Sequence, residues 1–291
     1  MNLKAKMMRC LLLYLFLCVS ITVFSQSNFQ GKAVYKSKTT MDSNFGGREM
    51  SEERKKQILK RMKSMLEKTY TLNFTKNKSV YKEEEKLATP GTGRGFRFGG
   101  IMSGGIIYKN IKENKIVESK ESFGKKFLIN NSSEKLDWTL GDETKQIGNY
   151  TCFKATLVKK ADGLDWRNMR RRPKRKSNDT LKTKKVTDEV ELPKEIKVTA
   201  WYTPQIPVSN GPGNYGGLPG LILEINEGRT TILCAEITMN PSEKIELKEP
   251  KKGKKVSKKE YAEIMKKKME EMREMFRNRR GNRGGRGRGF H

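Results

Sequence analysis

The chain has 291 residues, with 62 Lys+Arg against 33 Asp+Glu and a formal net charge of +29. Hydrophobic residues make up only 34% and charged residues 33%, so part of the chain cannot join a packed core. The single histidine is His291, the last residue. A Ser-His-Asp triad, a Cys-His dyad and an H-E-x-x-H zinc site all need a firmly held imidazole, and a terminal residue does not supply one.

In chain order, Lys4, Lys6 and Arg9 form a positive region before the apolar run Cys10 to Phe24. Val23 and Ser25 then place small residues at the −3 and −1 positions of a cleavage site. Residues 1–25 therefore read as a Sec signal peptide, with Gln26 as the first mature residue. The run is short for a membrane span, which needs about 20 residues. Bulky Leu17 before Cys18 argues against a lipoprotein. The expectation is an exported protein of the periplasm, the outer-membrane surface or the medium, with no transmembrane segment after cleavage. Removing 1–25 takes away three positive charges, leaving +26, and two of the four cysteines. Cys152 and Cys234 remain, and two readings stand: one disulfide, or two separately buried thiols.

Residues 26–240 read as an antiparallel β domain. The cleanest strand is Thr69–Thr75, where Tyr70, Leu72 and Phe74 alternate with Thr71, Asn73 and Thr75. Further strands are expected at 31–38, 79–82, 105–109, 115–121, 125–129, 136–140, 150–159, 195–203, 221–226 and 230–239. The last is apolar on both faces at its middle, which places it centrally. No β-α-β alternation occurs, so a parallel sheet is not expected. A helix at about 49–68 interrupts the strands, with Ser51, Glu52 and Glu53 suiting its start. A basic loop at 161–194 separates two strands. Residues 241–277 read as a basic linker and an amphipathic helix, its stripe formed by Tyr261, Ile264, Met265, Met269, Met272 and Phe276. The tail 278–291 is too poor in apolar residues to fold.

The charge is concentrated in two places. Residues 166–185 carry a net +9, and 251–291 carry a net +11. Arg170, Arg171, Arg172, Lys174 and Arg175 in the first, and Arg279, Arg280, Arg283, Arg286 and Arg288 in the second, are candidate polyanion contacts. An exported protein meets little nucleic acid, so an anionic envelope surface is the expected partner for these charges.

Ala200 to Ile225 is the most informative stretch: AWYTPQIPVSNGPGNYGGLPGLILEI. Pro204 and Pro207 force an extended path, and Gly217-Leu218-Pro219-Gly220 turns the chain into the next strand. No P-loop or metal-ligand spacing occurs, so no cofactor and no metal are expected. Glu83, Glu85, Asp162, Asp165, Asp188, Glu189 and Glu224 are the acids available to a carboxylate-dependent hydrolase. Most lie in charge runs that read as solvated surface; Glu224 is flanked by Leu223 and Ile225.

The string Gly217-Leu218-Pro219-Gly220-Leu221-Ile222 is the one after which the GLPGLI family is named. Two more segments resemble that family: Ile147-Gly148-Asn149-Tyr150-Thr151-Cys152-Phe153-Lys154-Ala155, and Ala200-Trp201-Tyr202-Thr203-Pro204 with Ile206-Pro207. Tyr108-Lys109-Asn110 is a lesser point of likeness. The resemblance implies an exported protein of Gram-negative bacteria. It further implies partial similarity to the bowl-like N-terminal domain of type II peptide-N-glycanases, without that enzyme's catalytic domain. The expected fold is mainly β: a curved antiparallel sheet, bowl or half-barrel like, with one inserted helix and one C-terminal helix. The expected function is a non-enzymatic binding or envelope-assembly module for a glycan, an apolar ligand or an envelope protein, with an envelope hydrolase as the alternative. Trp201, Tyr202, Pro204, Pro207, Tyr215, Gly217, Leu218, Pro219 and Gly220 are the residues expected to line or brace its concave face.

Overall fold

The computed structural model describes residues 29–40, 51–84, 105–132, 135–160 and 195–284. Twelve strands in these segments form one open sheet. In chain order they are β1 (Gln30–Thr39), β2 (Glu67–Thr75), β3 (Lys78–Glu83), β4 (Ile106–Asn110), β5 (Lys115–Ser122) and β6 (Lys125–Ser132). They continue as β7 (Thr139–Ile147), β8 (Tyr150–Lys160), β9 (Glu195–Thr203), β10 (Leu221–Glu227), β11 (Thr230–Met239) and β12 (Lys254–Ser257). The spatial order is β12-β6-β5-β4-β3-β2-β1-β11-β10-β9-β8-β7. Every pairing is antiparallel except β12 with β6, which is parallel. Two helices accompany the sheet, α1 (Glu52–Leu66) and α2 (Lys258–Gly284). The expected mainly β, open antiparallel architecture with two helices is the one observed.

The alternation in β2 does what its pattern dictates: Leu72 and Phe74 are wholly buried, while the intervening Thr71 and Asn73 are not. β11 lies between β1 and β10, inside the sheet as its apolar middle implied. Three bulges interrupt the ladders, at Val34/Tyr35 of β1, between Ile222 and Glu224 of β10, and between Leu140 and Thr144 of β7. Each adds local twist and bends its strand, so a long sheet curls instead of lying flat.

Three departures from the sequence reading have clear causes. The strand expected at 136–140 is instead β7, Thr139–Ile147, almost wholly exposed along its length. Gly141, Asp142 and Glu143 form the bulge of an edge strand, where no buried face enforces alternation. β12 was not expected at all. With one apolar residue, Val256, it carries no periodicity, and its partner Phe127–Asn130 comes from far along the chain. Helix α2 runs to Gly284, into the stretch 278–291 read as disordered. Residues 1–25, expected to be a signal peptide, the expected basic loop 161–194 and residues 285–291 lie outside the described residues.

The apolar interior is divided. One cluster joins Tyr35, Leu72, Phe74, Tyr81 and Ile107 to Cys152, Leu221, Leu223 and Cys234. A second joins Ala155, Leu157, Val198, Ala200 and Ile225 to Tyr202, Tyr215 and Leu218. Phe153, Ala155 and Leu157 belong to the second and Cys152 to the first, as their alternation along β8 predicts. A third cluster fastens α2 through Tyr261 and Met265 to Phe127 and Ile129 of β6 and Val256 of β12.

Candidate functional site: the corner between β9 and β10

β9 ends at Thr203 and β10 starts at Leu221, so seventeen residues must leave and re-enter adjacent antiparallel strands. Pro204, Pro207 and Pro219 are exposed, whereas Ile206, Val208 and Leu218 are buried. Ile206 and Val208 enter the first cluster, and Tyr215 and Leu218 enter the second. The corner thus stitches the two halves of the core. Its backbone is satisfied locally: Leu221 N donates to Ile206 O at 3.0 Å and Ile222 N to Asn210 O at 3.0 Å.

Glycine is required at two points. A Cβ on Gly220 would sit 2.2 Å from Thr203 O, so the motif's last glycine is set by backbone proximity. Gly217 has φ +86°, a conformation that glycine adopts without penalty. Trp138 donates its indole N–H to Gly216 O at 2.9 Å and closes over Tyr215, with ring centroids 6.2 Å apart. The Tyr215 hydroxyl donates to Glu227 at 2.7 Å and accepts from Lys159 at 3.1 Å.

Of the aromatic residues expected to line a binding face, Tyr202 and Tyr215 are buried and brace the corner. Trp201 is half-buried. The ammonium of Lys145 stands 5.4 Å from its ring centroid, within cation–π range. The same ammonium pairs with Glu224 at 2.5 Å. The other oxygen of Glu224 accepts from Asn226 Nδ2 at 2.7 Å, and Asn226 Oδ1 accepts from Thr231 at 2.8 Å. Lys145 lies on β7 and Glu224 on β10, three strands away in the sheet order. In a flat sheet that separation is about 14 Å, beyond a lysine's reach. The sheet therefore curls here, and Trp201 lies in the hollow of the curl.

Cys152 and Cys234 are both free thiols. Burial pushes Cys152 up to about 11, with the Glu224 carboxylate adding to the rise and Lys145 opposing it. Burial likewise pushes Cys234 up to about 12. Of the two readings open from sequence, the structure has the pair of buried, protonated thiols.

The buried Lys109 of β4 went unassigned in the sequence reading. Its ammonium donates to Asn210 Oδ1 at 3.0 Å, Gly211 O at 3.1 Å and Tyr215 O at 2.7 Å. Burial alone lowers it to about 7. A lysine in the apolar strand IIYKN was the available signal. Lys145 and Trp138 carried none, because both gain their roles from segments distant in sequence. Arg170, Arg171, Arg172, Lys174, Arg175, Arg286 and Arg288 lie outside the described residues. Arg279, Arg280 and Arg283 fall on the last turns of α2.

The stretch 138–224, from Trp138 to Glu224, matches the model of a family described as "Protein of unknown function (Porph_ging)". No curated protein matches the chain in sequence. Among solved structures, the chain is similar to PNGF-II in its C2 and P21 crystal forms, with TM-scores of 0.46 and 0.45 at 12% identity. The matches cover 81% of this chain and 32% and 33% of those chains, so it spans about a third of their length.

Proposed function

We propose that this chain is an exported protein of the GLPGLI type that acts as a non-enzymatic binding or envelope-assembly module. The observation that carries the reading is the hollow at Trp201. A half-buried indole there lies under the Lys145 ammonium, which is tied through Glu224 to Asn226 and Thr231. An aromatic face beside fixed donors and acceptors suits a glycan, or a protein surface that presents polar groups around an apolar spot. Tyr202, Tyr215, Leu218 and the GLPG glycines hold the hollow in shape without lining it.

The hydrolase reading requires two carboxyl groups facing one substrate bond. Glu224 has both oxygens engaged, one by Lys145 and one by Asn226. That arrangement favours a fixed polar contact over a proton donor.

The test is capture from solubilised cell envelope, with bound proteins and glycans both identified. Trp201→Ala is expected to remove the captured partner while leaving the far-ultraviolet circular dichroism unchanged. Loss of the β signal in that variant would make Trp201 a core residue and sink the binding reading. Hydrolysis of envelope glycan by the wild type but not by Glu224→Gln would establish the enzyme instead.

A further inference from the structure

Helix α2 is fastened to the sheet at its start. Tyr261, Ile264 and Met265 pack with Phe127, Ile129 and Val256, and the Tyr261 hydroxyl shares a 2.8 Å hydrogen bond with Ser122 Oγ. Residues 266–284 continue the helix for about 28 Å beyond that anchor. Among the described residues, Met269, Met272 and Met275 of this outer part belong to none of the apolar clusters. Met275 is 56% exposed, and Met269 and Met272 are half-buried.

The charges of α2 are segregated around these methionines. At 3.6 residues per turn, positions 269, 272 and 275 share an arc of about 140° with positions 279, 280 and 283. One side of the outer helix therefore carries three methionines and then, further along, Arg279, Arg280 and Arg283. All five acids of the helix, Glu260, Glu263, Glu270, Glu271 and Glu274, fall outside that arc. We propose that the outer part of α2, from Met269 onward, is a docking face for an anionic lipid surface, along which the helix lies flat.

The composition of the face separates this partner from a soluble polyanion. A soluble polyanion uses the arginines and leaves the methionines in water. A bilayer interface takes both, the methionines at the edge of the acyl chains and the arginines among the anionic headgroups. The acid-bearing side then stays in water, away from like charge. No helix among the described residues is long and apolar enough to cross a membrane, so α2 binds from one side. The face is separate from the Trp201 hollow, which is built on β7, β9 and β10, and does not depend on it.

Cosedimentation of the purified full chain with vesicles tests the proposal. Wild-type protein should bind phosphatidylglycerol vesicles at least about tenfold more tightly than phosphatidylcholine vesicles. The triple variant Met269→Gln, Met272→Gln, Met275→Gln keeps every charge and a similar helix propensity. It should bind phosphatidylglycerol about tenfold more weakly. Arg279→Gln, Arg280→Gln and Arg283→Gln together should weaken binding roughly a hundredfold. On the wild type, bound phosphatidylglycerol vesicles should slow peroxide oxidation of Met275 at least about fivefold, and heparin should leave it unchanged. Equal binding to the two lipids, or either triple variant binding as the wild type does, overturns the proposal. Met275 left unprotected by bound vesicles overturns it whether or not the variants fold, and equal protection by heparin makes the face a general polyanion contact instead.

Discussion

Two regions of the sheet are held by different means. At the corner between β9 and β10 the chain is packed on both sides, with Leu221 and Leu223 in one cluster and Ile222 and Ile225 in the other. Clearances there are set by backbone against backbone. At the far end, β12 and α2 are joined to β6 through a small cluster centred on Phe127, Ile129, Val256, Tyr261 and Met265. Local rules carry the rest: Glu260 N donates to Ser257 Oγ at 3.2 Å, and Ser257 N donates to Glu260 at 2.7 Å, a reciprocal capping box. The contrast teaches that the motif region tolerates change poorly because nothing there can relax. The C-terminal end should yield gradually, one local contact at a time.

The sharpest way to break this contrast is Gly220→Ala. Its Cβ would meet the Thr203 carbonyl, a backbone atom, at 2.2 Å. We expect a loss of about 3 kcal/mol or more in global stability, read by chemical denaturation. A loss below about 1 kcal/mol would show that the corner can shift after all.

Cavity formation should come next. Leu223→Ala is expected to lower the global transition by about 3–5 kcal/mol, because Leu223 is 1% exposed in the larger cluster. Met265→Ala should cost about 2 kcal/mol, visible as early exchange of α2 and β12 while β1 and β2 keep their protection. Equal, fully global losses from both would merge the two regions into one cooperative unit.

Smaller still is the cap. Ser257→Ala should fray the start of α2 at a cost of about 1 kcal/mol, measured as lost helical signal. The same box gives a pH window. Hydrogen bonding to Ser257 holds the Glu260 carboxyl below its ordinary value. Its contribution is therefore present above the ordinary carboxylate range and lost as pH falls through the lowered value. Acid titration should loosen the helix start only in the carboxylate range, followed as lost helical signal; a signal unchanged through that range would contradict the assignment.

At the bottom of the scale, Glu143→Ala removes the exposed ion pair with Lys154. It should change stability by no more than about 0.5 kcal/mol by thermal melting.

Much of the fold was legible before any coordinates. β2, β9 and β11 follow from strict alternation or dense β-branched composition, and α1 follows from its acidic first turn and apolar spacing. β7 and β12 were not legible for opposite reasons. β7 is an exposed edge strand with no face to bury, and β12 is four residues long and exists because β6 is beside it. The site was legible in part. The prolines and glycines of the corner announce a turn, but their spacing does not distinguish a residue that lines a hollow from one that braces it. Tyr202 and Trp201 are neighbours in sequence, and only strand alternation in a curled sheet makes the first buried and the second accessible.

What the sequence by itself determined is therefore local: which segments are strands or helices, where the chain must turn, and where its charge is concentrated. These depend on periodicity, φ restrictions and composition within a few residues. The tertiary structure alone decided the rest. It brought Lys145 over Trp201, left Cys152 and Cys234 as separate thiols, and placed the Lys109 ammonium under the corner. Those arrangements depend on how far the sheet curls, and curl accumulates over twelve strands from bulges and twist that no single segment encodes.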